Sequence, residues 1–348
     1  MAGAGDAGQQ PVVAELHLVT AAFETPAPIL APDLSRLAPS EATAFQPELD
    51  DWLRPESDLS SAQDLPLLVG PEANSVRLVI REEDRIVSHA ALCELEYTLQ
   101  NAPTTTLRIG IVGAVATAPE ARRRGHAEIL VRTLQEHAVA QDLDLVVLWD
   151  DTPSGHYYDR FGFVGAGREV LHCTWRDLMD GLVHPDWVRP IGLHDVDALR
   201  RLHDTELAGV RRSRETWDRL LAIPRAEVFV LDRTGTPEAY AIVGKGIDLA
   251  GCVHDWAGEE CALPALVAGI FHHRHDDRLT VMSASWKTTA HRALEFHGVE
   301  RVEGILGMVW SPDPTVLARR CHRPAATLDQ LLSGPDAIPF YLKGFDSM

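Results

Sequence analysis

The chain has little of what marks several large protein classes. Cysteine is sparse: Cys93, Cys173, Cys252, Cys261 and Cys321 are an odd number, widely scattered over 348 residues. That pattern excludes a disulfide framework and reads as reduced thiols in a cytoplasm. No apolar run approaches the roughly 18–20 residues of a membrane helix. The nearest, Ile109–Ala118, carries Thr117 and runs into Pro119. The opening MAGAGDAGQQ has neither the basic nor the apolar stretch of a secretory signal, so a cytoplasmic location is expected. Cations are also scarce: 32 Lys and Arg stand against 51 Asp and Glu, a net charge of −19. That balance argues against nucleic acid, whose binding needs cationic side chains to displace phosphate counterions, and against anionic membrane surfaces. An anionic ligand could still bind, but only through a local cluster of N–H donors and arginine.

What is present is ordinary globular material, with 45% hydrophobic and 24% charged residues. The length suits two domains better than one core. A strand is expected around Val12–Val19. From Glu41 to Asp64 seven carboxylates face one arginine, Arg54, which predicts a solvated helical surface or, more sharply, a negative lid over a cleft. Val76–Arg81 and Ile86–Tyr97 read as strands joined by a charged turn, and Thr104–Thr117 as a third. Pro119 is expected to open a helix whose apolar face is Ala127, Leu130, Val131, Leu134 and Ala138. Leu145–Trp149 then has the continuous apolarity of a strand buried on both faces.

A break at Gly181–Pro190 divides the chain near residue 185, into 1–185 and 186–348. Beyond it a weaker echo follows. Helices are expected at Val196–Leu207, Arg214–Leu221, Leu263–His273 and Thr288–His297, and strands at Val228–Asp232, Ala239–Val243, Leu279–Ser283 and Gly304–Trp310. Ser311–Met348 is too short for a third domain and is expected to pack back on the rest.

The segment with chemical content is Val115-Ala116-Thr117-Ala118-Pro119-Glu120-Ala121-Arg122-Arg123-Arg124-Gly125-His126-Ala127. Its end reads R-x-x-G-x-A between a strand and a helix start. Unpaired N–H groups and the positive end of the helix dipole make such a place an anion cradle. Gly125 admits a bulky diphosphate and the small Ala127 leaves the space open. A solvated, idle helix start is the plain alternative, and three arginines before a glycine do not exclude it. A second element does so: Tyr157-Tyr158-Asp159-Arg160-Phe161-Gly162-Phe163, which follows the buried strand.

Together the two elements, over residues 76–167, resemble the GNAT family of acyl-CoA N-acyltransferases. More narrowly, the tandem plan is similar to the enhanced-intracellular-survival type, with Ile86-Val87-Ser88-His89 and Ser154-Gly155-x-x-Tyr158 adding to the likeness. The resemblance implies an α/β fold of two tandem GNAT-like domains, each a mixed, mostly antiparallel sheet flanked by helices. It implies acetyl-CoA as co-substrate, without a metal, and an amine acceptor, with the first domain catalytic. Val115, Ala116, Thr117, Arg122, Arg123, Arg124, Gly125, His126 and Ala127 would bind the cofactor, Val115 and Thr117 pairing with pantetheine like an added strand. Tyr158 would be the general acid. The C-terminal carboxylate, here Met348, reaches the site as base in that type. These 348 residues are too few to be expected to hold the sterol-carrier-like third domain of those proteins as well, which bears on that role for Met348. Glu94, Glu96, His89, Asp150, Asp151 and a water chain are the other candidates for the base.

Other signals carry less. Gly3–Gly8 fits G-x-G-x-x-G without a preceding strand. Asp151, Ser154 and His156 are too close in sequence to converge as a triad, and no G-x-S-x-G elbow exists. Cys252, His254 and Cys261 lack a fourth zinc ligand at usual spacing. His272, His273 and His275 suit a helix C-terminus better than a metal. In the second half the position expected for the CoA loop reads Asp255-Trp256-Ala257-Gly258-Glu259-Glu260-Cys261, whose carboxylates would repel a pyrophosphate. The expected activity is acetyl transfer to a primary amine, with the overall acidity favouring a cationic acceptor. The rival is a non-catalytic acyl-CoA sensor or scaffold. Expected partners are acetyl-CoA and the amine, with neither nucleic acid nor membrane; a homo-oligomer is a possible assembly.

Overall fold

The computed structural model describes residues 33–100, 104–150, 156–324, 327–334 and 336–347. The strand expected at Val12–Val19 lies outside them.

The first half supplies β1 (Asp33–Arg36), β2 (Ser75–Glu82), β3 (Arg85–Leu99), β4 (Thr105–Thr117), β5 (Leu145–Leu148) and β6 (Val164–Trp175). Its helices are α1 (Pro39–Leu53), the short α2 (Ser61–Asp64) and α3 (His126–Ala140). The second half adds β7 (Val188–Pro190), β8 (Ala208–Val210), β9 (Glu227–Leu231), β10 (Ala239–Lys245), β11 (Asp248–Gly258), β12 (Arg278–Ala284) and β13 (Glu300–Trp310). Between them run α4 (Arg176–Met179), α5 (Val196–Asp204), α6 (Arg214–Leu221), α7 (Leu263–His273) and α8 (Thr288–Phe296), and after them α9 (Pro314–Arg320) and α10 (Leu328–Ser333).

The thirteen strands of the described residues join one mixed sheet in the order β1-β2-β3-β4-β5-β13-β6-β12-β11-β10-β9-β7, with β8 beside β3. The order is nearly symmetric about the β13–β6 pair. On each side a hairpin leads through a helix to a parallel neighbour: β4-α3-β5 on one, β11-α7-β12 on the other. The last strand of each half crosses the centre. β13 pairs with β5, and β6 pairs with β12. The two halves are therefore stitched by exchanged strands, a long-range pairing no local pattern announces.

Local chemistry accounts for most elements. All four residues of β5 are buried, as its unbroken apolarity requires. Leu130, Val131, Leu134 and Ala138 form the buried stripe of α3. Pro119 opens only a single 3₁₀ turn, Pro119–Ala121; the helix itself begins seven residues later, at His126. Arg122 is extended and Arg123 (φ +65°) and Gly125 (φ +86°) are left-handed, so helical geometry cannot start before His126. Strands β6 and β11 have no counterpart in the periodicity. Asp255, expected in a loop, lies inside β11, fully buried against Arg212 at 2.7 Å.

The acidic stretch from Glu41 to Asp64 is largely engaged in pairs and caps. Glu41 pairs with Arg81 at 2.9 Å. Asp50 accepts from the Ser61 amide (2.8 Å) and hydroxyl (2.6 Å), and buried Asp64 pairs with Arg54. Ala42, Phe45 and Leu49 turn the inner face of α1 into core.

The tail packs back as expected, and through a built network. The Tyr97 hydroxyl accepts from the Tyr341 amide and donates to the Pro339 carbonyl, at 2.9 and 3.0 Å. Arg212 grips Asp346 with two bonds of 2.9 and 2.7 Å, while Lys343 reaches Asp255 at 3.3 Å. Phe345 is fully buried. This charge cluster is buried, so its members hold the tail as a set.

Buried histidines make stability pH-dependent. Burial pushes His172 down to about 4, helped by the neighbouring charges of His291 and Arg301. Its ring therefore stays neutral in the folded chain where the unfolded one would take a proton. Such a group contributes stability that is complete above its ordinary value of 6.5 and lost as pH falls toward 4. Urea unfolding at pH 7.5 and pH 5 should show a smaller acid-induced loss in His172→Leu than in wild type. Equal losses would assign the acid sensitivity elsewhere.

Candidate active site

Strands β4 and β5 pair in parallel only at Ile109–Ile111 with Leu145–Val147. Beyond that they part, leaving the edge of residues 112–117 without β5. On its other side β4 carries a bulge. His89 pairs with Ala116 and Ala91 with Gly113, so Ala114 and Val115 together oppose Ala90. Ala114 takes φ +49°, unusual for an alanine, and its carbonyl accepts a 2.8 Å bond from buried His89 Nδ1. Burial is the main force holding His89 at about 4, so the ring is a neutral donor at physiological pH. Its ring lies behind the bulge, holding the Ala114 carbonyl.

The parted strands open on a cleft of about 720 Å³. Val112, Gly113, Ala114 and Val115 form one wall and Tyr158 another. Ala116 and Thr117 lie farther along, the Thr117 hydroxyl 2.8 Å from that of Ser88. Tyr158 is 8% exposed, packed against Tyr157, Phe161 and Phe163 at ring distances of 5.0–6.2 Å. Tyr157 instead lies under the Arg160 guanidinium, 4.5 Å from its ring centre, and does not line the cleft. Gly162 closes the turn at φ +81°.

At the start of α3 the loop is exposed from Arg122 to Gly125. Arg122 folds back through Nε to the Thr117 carbonyl at 3.1 Å. Arg124 is committed to Glu82 (2.8 Å) and the Glu120 carbonyl (2.7 Å), and His126 Nε2 meets the same Glu82 at 3.0 Å. Among the described residues Arg123 has no carboxylate partner. Of the three arginines, one is thus a strut and two can offer charge. Gly125 caps the helix in the left-handed region with nothing within 4 Å of where a Cβ would stand. The open backbone and the first-turn amides give this helix start the donors that an anion requires.

The remaining candidates scatter. Glu94 pairs with Arg108 and His137, at 3.0 and 3.1 Å, and Glu96 is exposed; neither borders the cleft. Asp150 accepts from the Tyr157 amide at 3.2 Å. Asp151 and Met348 lie outside the described residues; Ser347 lines the cleft. Among the described residues no three His, Cys, Asp or Glu side chains gather as a metal site. No helix there is long and apolar enough to cross a membrane. In the second half Glu260 Oε2 accepts from the amides of Thr289 and Ala290, at 3.0 and 3.1 Å. Two cleft residues had no signal in sequence: Glu169 on β6 and Lys245 on β10. Lys245 is fully buried, donates to the carbonyls of Gly344 and Ser347, and is pushed down to about 8 by burial.

A bulged strand, a parted parallel pair, a tyrosine across the gap and an arginine–glycine loop at a helix start are the features of a GNAT domain. Residues 54–165 match the family model described as acetyltransferase (GNAT) domain, and the chain carries a domain of that family. No curated protein matches the sequence. Solved structures share the fold at low identity. A probable N-acyltransferase from Enterococcus faecalis V583 aligns with TM-score 0.62 and 11% identity, over 81% of this chain and 73% of that one. A GCN5-related N-acetyltransferase from Anabaena variabilis ATCC 29413 gives 0.61 and 17%, over 82% and 74%. Eis1 from Mycobacterium abscessus gives 0.56 and 15%, over 83% and 76%.

Proposed function

We propose that this protein transfers an acetyl group from acetyl-CoA to a primary amine. The observation that carries the reading is the single cleft in which the bulged edge of β4, opened by the loss of β5, faces Tyr158. Pantetheine would lie along that edge as an added strand, with its pyrophosphate on the amides of Gly125–Ala127 and on Arg122 and Arg123. A backbone N–H of the Val115 region would polarise the thioester carbonyl. Tyr158 would protonate the departing thiolate. The chemistry belongs to residues 1–185; residues 186–348 wall the cleft and, with Glu259 and Glu260 after β11, do not suit a second CoA.

The cleft also narrows the acceptor. Its charges balance, Arg54 and Lys245 against Glu169 and Asp248, and Arg54 is itself bound to Asp248 at 2.7 Å. Most of the lining is apolar, including Leu53, Leu65, Trp149, Ile247, Met282 and Leu342. An amine on an apolar body fits this lining better than a polycation, whatever the net charge of the chain. The test is thiol release from acetyl-CoA with phenethylamine, tryptamine, lysine methyl ester and spermidine. Turnover favouring the first two supports the reading. Tight acetyl-CoA binding with no turnover on any amine would favour the sensor role instead.

A further inference from the structure

The proposed reaction leaves one proton without an acceptor, because an amine arrives as ammonium and must lose H⁺ before it attacks. Resting on the acetyl-transfer reading, we propose that the Glu169 carboxylate is the catalytic general base that takes this proton.

The placement is specific. Glu169 lies on β6, paired with Ala284 on β12 and with Gly304 on β13, so its backbone is fixed from both sides at the centre of the sheet. Its half-buried side chain enters the cleft shared by Tyr158 and the β4 bulge. Of the two side-chain carboxylates that line that cleft among the described residues, Asp248 is held by Arg54 at 2.7 Å, while Glu169 has no ion pair there.

The charged and titratable groups around it come from every wall. They are Tyr158, Tyr341 from the tail, Cys252 from β11, Lys245 from β10 and the Arg54–Asp248 pair. Lys245 is tied to the carbonyls of Gly344 and Ser347 rather than to the carboxylate. Burial pushes the Glu169 carboxyl up to about 7, with the nearby Tyr341 hydroxyl pulling the other way. A carboxylate at that value is ionised in half the molecules at neutral pH and is a stronger base than an exposed one.

The step balances without a further reactant. An ammonium N–H bond breaks and the Glu169 O–H bond forms. The amine lone pair then attacks the thioester carbon, and the C–S bond breaks as the tetrahedral intermediate collapses. The thiolate takes its proton from Tyr158. The second amine proton returns to Tyr158 through solvent, and Glu169 releases its own at the cleft mouth.

In Glu169→Gln, kcat/KM for the best amine at pH 7.5 should fall about 100-fold, at the lower end of what general-base catalysis contributes. Acetyl-CoA affinity by calorimetry should stay within about twofold of wild type, and Glu169→Asp should recover part of the rate. In wild type the rate should rise with pH through about 7, because the ionised form is the active one, and Glu169→Gln should lack that rise. Wild-type turnover in Glu169→Gln, or loss of acetyl-CoA binding in that variant alone, would overturn the role. Acetyl-CoA binding without turnover in both proteins would instead remove the acetyl-transfer reading, and the base with it.

Discussion

Replacing Tyr158 by phenylalanine is expected to lower kcat about 10³-fold, with KM for acetyl-CoA little changed. The physical ground is that the substitution removes one oxygen and nothing else. The ring is packed against Tyr157, Phe161 and Phe163, contacts that phenylalanine keeps, and only 8% of the residue is exposed. On the proposed role, what is lost is the proton for the leaving thiolate, a contribution made only as the C–S bond breaks, so the effect belongs in kcat. Thiol release under saturating acetyl-CoA measures it directly, with calorimetry to show that the cofactor still binds. A variant that turns over within a few-fold of wild type would mean that the thiolate leaves unprotonated or draws on another acid.

The second large effect concerns the cradle. Gly125→Glu should weaken acetyl-CoA binding by at least about 10³-fold. A carboxylate placed about 4 Å from a pyrophosphate oxygen costs roughly 4 kcal/mol at an effective dielectric near 20, and each 1.4 kcal/mol is about tenfold in affinity. Folding should survive, since nothing stands within 4 Å of the new Cβ and an acidic side chain suits a helix N-terminus. Gly125→Ala separates charge from conformation. At φ +86° alanine costs about 1–2 kcal/mol of stability, but it adds no charge and should leave affinity within about tenfold. Calorimetric titration of the three proteins decides the matter. Gly125→Glu binding as tightly as wild type would place the pyrophosphate elsewhere.

The two experiments probe what was most legible in the chain. Glycine and arginine at fixed spacing before a helix, and the Y-x-x-x-G-F run after a buried strand, are local signals. Their meaning depends on backbone within a few residues, and the structure puts both beside the parted strands. The start of α3 was harder to read. Pro119 signals a helix start, yet the left-handed turns at Arg123 and Gly125 postpone it to His126. The acidic run was legible as a charged helical surface, not as a set of pairs and caps. Which carboxylates face water and which cap or pair depends on how α1 and α2 lie on the sheet. Glu169 offered no signal because β6 owes its place to the second half of the chain.

The sequence by itself determined the elements whose information is local. These are the hairpin β2–β3, the β4-α3-β5 unit and the arginine–glycine loop before α3. Tertiary structure alone decided three things: the exchange of β6 and β13 across the centre, the return of the tail to the cleft, and the union of Tyr158, Glu169 and Lys245 in one cavity. The reason is separation along the chain. Arg212 meets Asp346 over 134 residues, and β13 reaches β5 from the far end of the molecule. Periodicity and turn chemistry fix which face of a strand is buried. They do not fix which distant strand lies beside it, and the cleft is made of those distant neighbours.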